Sequence, residues 1–313
     1  MSLSFRCVFV AAALLIPFLS AGRAQLVSVD PSALPLAGAV RSELAESIQA
    51  DDWLAVESHL FRRVRNDPAS AALRKALAAA HFRNERYLAA ASEYARADRL
   101  EPLDPGSRFA LATAYVALDR RHWARRELEA LAAEFPRNPL YPHWLAGIYQ
   151  HYQWFDRAIA EAERAISLNP AYAAAHDRLG QCLEALGRTE EALASYAEAE
   201  RLARAGDDPS PWPSYHRGSL LRDGGRFDEA LAPLERAVAL DPKNAEARHE
   251  LGLTLDRLGR PADALATLEA AAALDPDNPK IHYALSRLQR QAGDLAAARS
   301  SLERFERLSR SAR

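Results

Sequence analysis

Leu179-Gly180-Gln181-Cys182-Leu183-Glu184-Ala185-Leu186-Gly187-Arg188-Thr189-Glu190-Glu191-Ala192-Leu193-Ala194-Ser195-Tyr196-Ala197-Glu198-Ala199 reads as two helices with a glycine between them. Apolar residues recur at helical spacing on both sides of Gly187. A glycine takes the left-handed conformation that ends a helix at little cost. The pattern returns as Leu251-Gly252, Leu255, Gly259, Ala264, Leu268 and Ala271, and closes at Pro276. Working outward, prolines fall at Pro68, Pro102, Pro136 and Pro170, then at Pro242 and Pro276, spaced by 34 residues within each run. A proline cannot continue the second helix and pushes its predecessor out of helical geometry. A fixed period of this length means a repeated helix–turn–helix unit.

With the closing proline at position 32, the frames are 37–70, 71–104, 105–138, 139–172, 173–206, 211–244, 245–278 and 279–312. Position 20 reads Val56, Ala90, Ala124, Ala158, Ala192, Ala230, Ala264 and Ala298. Position 8 reads Ala78, Ala112, Ala146, Gly180, Gly218, Gly252 and Ser286 from the second frame on. Two helices approach closely only where facing side chains are small, so these are the expected crossing points. Position 7, mostly leucine, and position 24, with Tyr94, Leu128, Tyr196, Leu234, Leu268 and Leu302, are expected to fill the seams.

These residues resemble the tetratricopeptide repeat family over residues 71–312, roughly three quarters of the chain. The first frame departs from the pattern, with Glu43 and Leu44 at positions 7 and 8, and is expected to be an atypical terminal repeat. The resemblance implies an all-α, right-handed superhelical solenoid of about eight helix–turn–helix repeats that presents a ridged surface to other proteins. The expected organisation is a signal peptide over 1–24 and a linker over 25–36. An N-terminal block covers 37–205, a Pro-rich joint 206–213 and a C-terminal block 211–312.

The N-terminus carries Arg6, an uncharged apolar run from Cys7 to Leu19, and small residues at Gly22 and Ala24. This predicts cleavage before Gln25 and a periplasmic or secreted protein, with retention as a membrane anchor the alternative. Cleavage would leave Cys182 without a disulfide partner, as a buried, inert thiol. The net charge of −2 gives no reason to expect nucleic acid or an anionic membrane surface as partner. Phosphate loops, nucleophile elbows and metal-binding helical His pairs are absent, so no catalytic residue, metal or cofactor is expected. The His and Trp residues around 143–154 and Trp212 are the only basis for a ligand-binding or enzymatic alternative.

In this family the concave face is lined by first helices at positions 2, 5, 9, 12 and 13. The lysines and asparagines with which chaperone-binding members hold a carboxylate are not matched, since position 9 holds no asparagine. Phe82, Phe109, Val116, Leu140 and His143 are expected to form an exposed apolar line there, flanked by Lys75 and Arg83. A partner protein or peptide would dock on it, with a second locus at Trp212 and Tyr215. Alternatively, the linker residues Leu26, Val27, Val29, Leu34 and Leu36 cover the chain's own groove. The expected function is a non-enzymatic scaffold, with a membrane-tethered assembly factor as the alternative.

Overall fold

A computed structural model describes residues 29–205 and 209–311. The predicted signal segment 1–24 and the linker residues Leu26 and Val27 lie outside them, as do 206–208 of the Pro-rich joint. Among the described residues there are sixteen α-helices, one short 3-10 turn at Pro31–Ala33 and no strand. The helices pair as α1 Gly38–Gln49 with α2 Trp53–Asn66, α3 Ala71–Arg83 with α4 Tyr87–Asp98, α5 Pro105–Ala117 with α6 Arg121–Glu134, and α7 Leu140–His151 with α8 Phe155–Leu168. The second set is α9 Ala173–Ala185 with α10 Thr189–Ala205, α11 Trp212–Asp223 with α12 Phe227–Leu240, α13 Ala245–Arg257 with α14 Pro261–Leu274, and α15 Pro279–Gln291 with α16 Leu295–Ser311. Each pair occupies one sequence frame.

Local chemistry sets the boundaries. Ser70, Asp104 and Asn244 accept hydrogen bonds from Leu73, Ser107 and Ala247 backbone N–H groups at 3.3, 2.9 and 2.9 Å, capping α3, α5 and α13. Pro105, Pro261 and Pro279 stand in the first turns of α5, α14 and α15, where no intrahelical donor is lost. Pro233 sits inside α12, which continues through it to Leu240. At position 15 the backbone is left-handed in all eight hairpins: Asp51, Glu85, Asp119 and Gln153 in the first four, Gly187, Gly225, Gly259 and Gly293 in the rest. The turn geometry is therefore constant while the glycine is not.

Packing follows the small-residue rows. Val56, Ala90, Ala124, Ala158, Ala192, Ala230 and Ala264 are wholly buried at position 20, and Ala78, Ala112 and Ala146 wholly buried at position 8. Where position 8 is glycine the approach is closer still. A Cβ on Gly180 would stand 2.6 Å from the Tyr196 ring, and on Gly252 2.7 Å from Leu268 Cγ. Tyr94, Leu128, Tyr196, Leu234 and Leu268 at position 24 are fully buried, each leucine contributing about 1.5–3 kcal/mol. Leu302, with no following helix among the described residues, is 40% exposed.

The described helices form two compact units, α1–α8 and α9–α16, dividing between Leu168 and Asn169. Helices α10 and α11, on either side of the Pro-rich joint, pack together within the second unit. The second unit has its own core, built on Leu221, Leu234, Leu255, Leu268, Ile281 and Leu285.

Candidate functional site

In the first unit the expected apolar line is not an exposed strip. Phe82 is 0% exposed, Phe109 4%, Val116 5% and His143 3%, and Leu140 is half-buried. Phe82 meets Tyr87 edge-on at 5.4 Å, and Phe109 lies between Tyr141 and Trp144 at 5.7 and 5.5 Å. The alanines and glycines beside these positions explain the difference. Small neighbours let the helices close up, so that Phe82 packs within its own hairpin and Phe109 between successive first helices. The flanking cations are engaged: Lys75 reaches Asp104 at 3.6 Å, and Arg83 binds Asp51 at 2.7 Å while lying over the Trp53 ring. Of the linker, Val29 and Leu34 are buried and Leu36 half-buried, and Arg41 donates to the Leu36 carbonyl at 3.0 Å. The 3-10 turn packs against α1.

The second unit is different. Asp177, Gln181 and Glu184 are spaced by four and three along α9, which puts them on one stripe. The next first helix, α11, brings Trp212, Tyr215 and His216 against them. His216 Nδ1 lies 2.8 Å from Asp177 Oδ1, and Gln181 Nε2 donates to Asp177 Oδ2 at 2.8 Å. Tyr196 donates its hydroxyl to Glu184 Oε2 at 2.7 Å. The His216 ring stands 5.5 Å from Tyr196, 5.4 Å from Tyr215 and 6.0 Å from Trp212. Trp212 and Tyr215 are half-buried, leaving part of each ring at the surface.

The groups nearest Trp212 and Tyr215 are mainly carboxylates. Burial alone would lower the His216 pKa, but the charge and hydrogen bond of Asp177, with Glu184 beyond, outweigh it and hold the imidazolium above the ordinary histidine value. Glu184 shows solvent on one side, yet the protein crowded around its carboxyl pushes its pKa up, against the Tyr196 hydrogen bond and the His216 charge. The Tyr215 phenol is raised by burial and by Glu246 and Glu250. Further along, Arg222 pairs with Glu250 at 2.5 Å and Asp223 at 2.7 Å, and Arg287 with Asp256 at 2.6 Å. Asp177, Glu184 and Glu246 thus gather around Trp212, Tyr215 and His216, whereas Arg257, Lys280, Arg287 and Arg290 make the later first helices more basic.

Asp177 at position 5 and Glu184 at position 12 fall on the expected concave positions, whereas His216 does not. It stands at position 6, one residue off the expected stripe. The signal was available: an acid at position 5 followed, one repeat on, by a histidine at position 6 brings opposite partners to adjacent first helices. Among the described residues no three His, Cys, Asp or Glu side chains converge as a metal site would require. Cys182, wholly buried, has its thiol pushed up to about 11 by burial. None of the described helices is long and apolar enough to cross a membrane.

Comparison with known proteins agrees with this architecture. The family described as tetratricopeptide repeat matches residues 154–209, 215–279 and 249–312. A tetratricopeptide repeat protein from Parabacteroides merdae superposes with a TM-score of 0.64 at 16% identity, over 80% of this chain and 97% of that one. Yeast Tom70 superposes with a TM-score of 0.64 at 15% identity, over 95% of this chain and 68% of that one. A curated relative is the cytochrome c-type biogenesis protein CycH of Rhizobium meliloti, 34% identical over 102 residues. That match spans 32% of this chain and 26% of the relative. The eight repeated hairpins, their fixed crossing residues and these matches make the chain a member of the tetratricopeptide repeat family.

Proposed function

We propose that the protein is a non-enzymatic scaffold whose second unit docks a basic segment of a partner protein on its first-helix face. The observation that carries this reading is the grouping of partly exposed Trp212 and Tyr215 with the exposed carboxylates Glu184 and Glu246. Aromatic anchors supply apolar contact area, and carboxylates around them select cationic side chains. Repeat arrays of this kind offer extended recognition surfaces rather than closed reaction pockets. The buried line Phe82, Phe109, Val116 and His143 serves packing in this reading, so the locus of docking passes to Trp212 and Tyr215.

The similarity of one segment to a cytochrome c-type biogenesis protein supports a role in assembling other envelope proteins. Removal of residues 1–24 on export would place the scaffold in the periplasm, and their retention would tether it to the membrane. N-terminal sequencing of the exported protein separates the two, since a start at Gln25 excludes the tether.

The docking test is a pull-down from a native envelope extract with wild type and with Trp212→Ser combined with Tyr215→Ser. The variant is expected to keep its helicity and lose the salt-sensitive part of the captured set. Equal capture by both would exclude this face as the docking site.

A further inference from the structure

The first unit carries a second surface, on the turn edge of its third and fourth hairpins, with opposite charge. Trp123, at the start of α6, is 51% exposed, and Trp154, in the turn before α8, is 42% exposed. Indole rings of this size left in water normally belong to a contact surface. Both are overlaid by arginine. The guanidinium of Arg126 stands 5.8 Å from the Trp123 ring centre, and that of Arg157 5.1 Å from that of Trp154. Arg125, on the same helix as Trp123, reaches over Trp154 at 5.6 Å, so the two tryptophans belong to one continuous edge. Tyr152 extends it, 5.1 Å from Trp154.

The charges of this edge are not balanced. Asp119 is committed to Arg121, and Glu129 to Arg125 and the Tyr149 hydroxyl. Arg120, Arg126 and Arg157 are exposed, and among the described residues no carboxylate pairs with them. Asp156 stands exposed in the same turn, so the edge keeps a cationic excess. A guanidinium stacked on an indole is held in place yet keeps its in-plane N–H donors free, which prepares it for bidentate contact with a carboxylate. Tryptophan, tyrosine and arginine are also the residues that dominate binding energy at protein interfaces.

We infer that this edge is a docking surface for an acidic protein segment bearing apolar side chains, its carboxylates taken by Arg120, Arg126 and Arg157 and its apolar groups by Trp123 and Trp154. The site is independent of the carboxylates around Trp212 and Tyr215 in the second unit. A scaffold with both would bring a basic segment and an acidic one onto a single chain.

The test uses the full chain and a fluorescent synthetic peptide of alternating glutamate and leucine, read by anisotropy at low salt. Wild type is expected to bind it, and Arg126→Glu combined with Arg157→Glu to weaken binding by about tenfold or more. The milder Arg126→Gln with Arg157→Gln is expected to fall between them, and guards against a folding defect, since both arginines are exposed. Trp212→Ser with Tyr215→Ser is expected to leave this binding intact, which separates the two faces. Equal affinity of wild type and the Arg→Glu variant would overturn the proposal. So would binding to phosphatidylglycerol vesicles without binding to the peptide, which would reassign the edge to a lipid surface.

Discussion

At residue scale, spacing alone made the crossing residues legible, because only small side chains fit where paired helices touch. Gly180, Gly218 and Gly252 are the strictest instances. A Cβ on Gly218 would meet Leu234 Cγ at 2.6 Å and the Leu234 backbone nitrogen at 3.2 Å. Alanine would gain about 1 kcal/mol of helix propensity there, but overpacking costs about 1–3 kcal/mol. Gly218→Ala is therefore expected to lower the urea midpoint, despite the better helix former. Cys182 was readable as an inert thiol, and burial raises its pKa to about 11. The native chain at pH 8 is expected to resist thiol reagents that label it at once in urea. The Asp177–His216 pair is harder to see, because its signal, an acid at position 5 and a histidine at position 6, lies in two successive repeats rather than within one. Its pH signature has a fixed sign. A histidine with a raised folded pKa lends stability that is complete below its unfolded value, about 6.5, and is lost as pH rises through the folded value. Unfolding midpoints measured from about pH 6 to pH 8 should fall more steeply in wild type than in His216→Gln.

At the scale of the element, all eight hairpins turn through a left-handed residue at position 15, although only four present a glycine there. The sequence signal was thus half-visible. Asp51, Glu85, Asp119 and Gln153 hold the same conformation at a cost of about 1 kcal/mol each, offset by the packing of the helices they join. Two expectations follow from this asymmetry. Glu85→Gly is expected to stabilise the first unit by about 0.5–1 kcal/mol, whereas Gly187→Ala is expected to destabilise the second by a similar amount. No atom lies within 4 Å of a Cβ built on Gly187, so that loss would be purely conformational. Urea titrations followed by circular dichroism measure both. The misplaced element-scale expectation concerned the first helices. Phe82 and Phe109 stand at positions that line the concave face in the family, but here they turn into the seams. There Phe82 meets Tyr87, and Phe109 meets Tyr141 and Trp144, so aromatic contacts take up both rings. Periodicity shows which stripe a residue occupies, whereas the depth to which that stripe sinks depends on residues one repeat away.

At the scale of the molecule, the repeat period was enough to read the class of fold, and the first helices change character along the frames. The front frames are small and apolar, and the later ones are charged. What could not be read was how that charge is organised in space. In the second unit, carboxylates gather around Trp212, Tyr215 and the buried imidazole of His216. In the first, arginines stack on Trp123 and Trp154. The measurement that tests the central claim most directly is hydrogen–deuterium exchange of the full chain, alone and with the envelope proteins it captures. Slowed exchange is expected on α9, α11 and α13, the helices that carry Asp177, Tyr215 and Glu246. Protection confined to the second helices α10, α12 and α14, with α9, α11 and α13 unchanged, would contradict docking on the first-helix face.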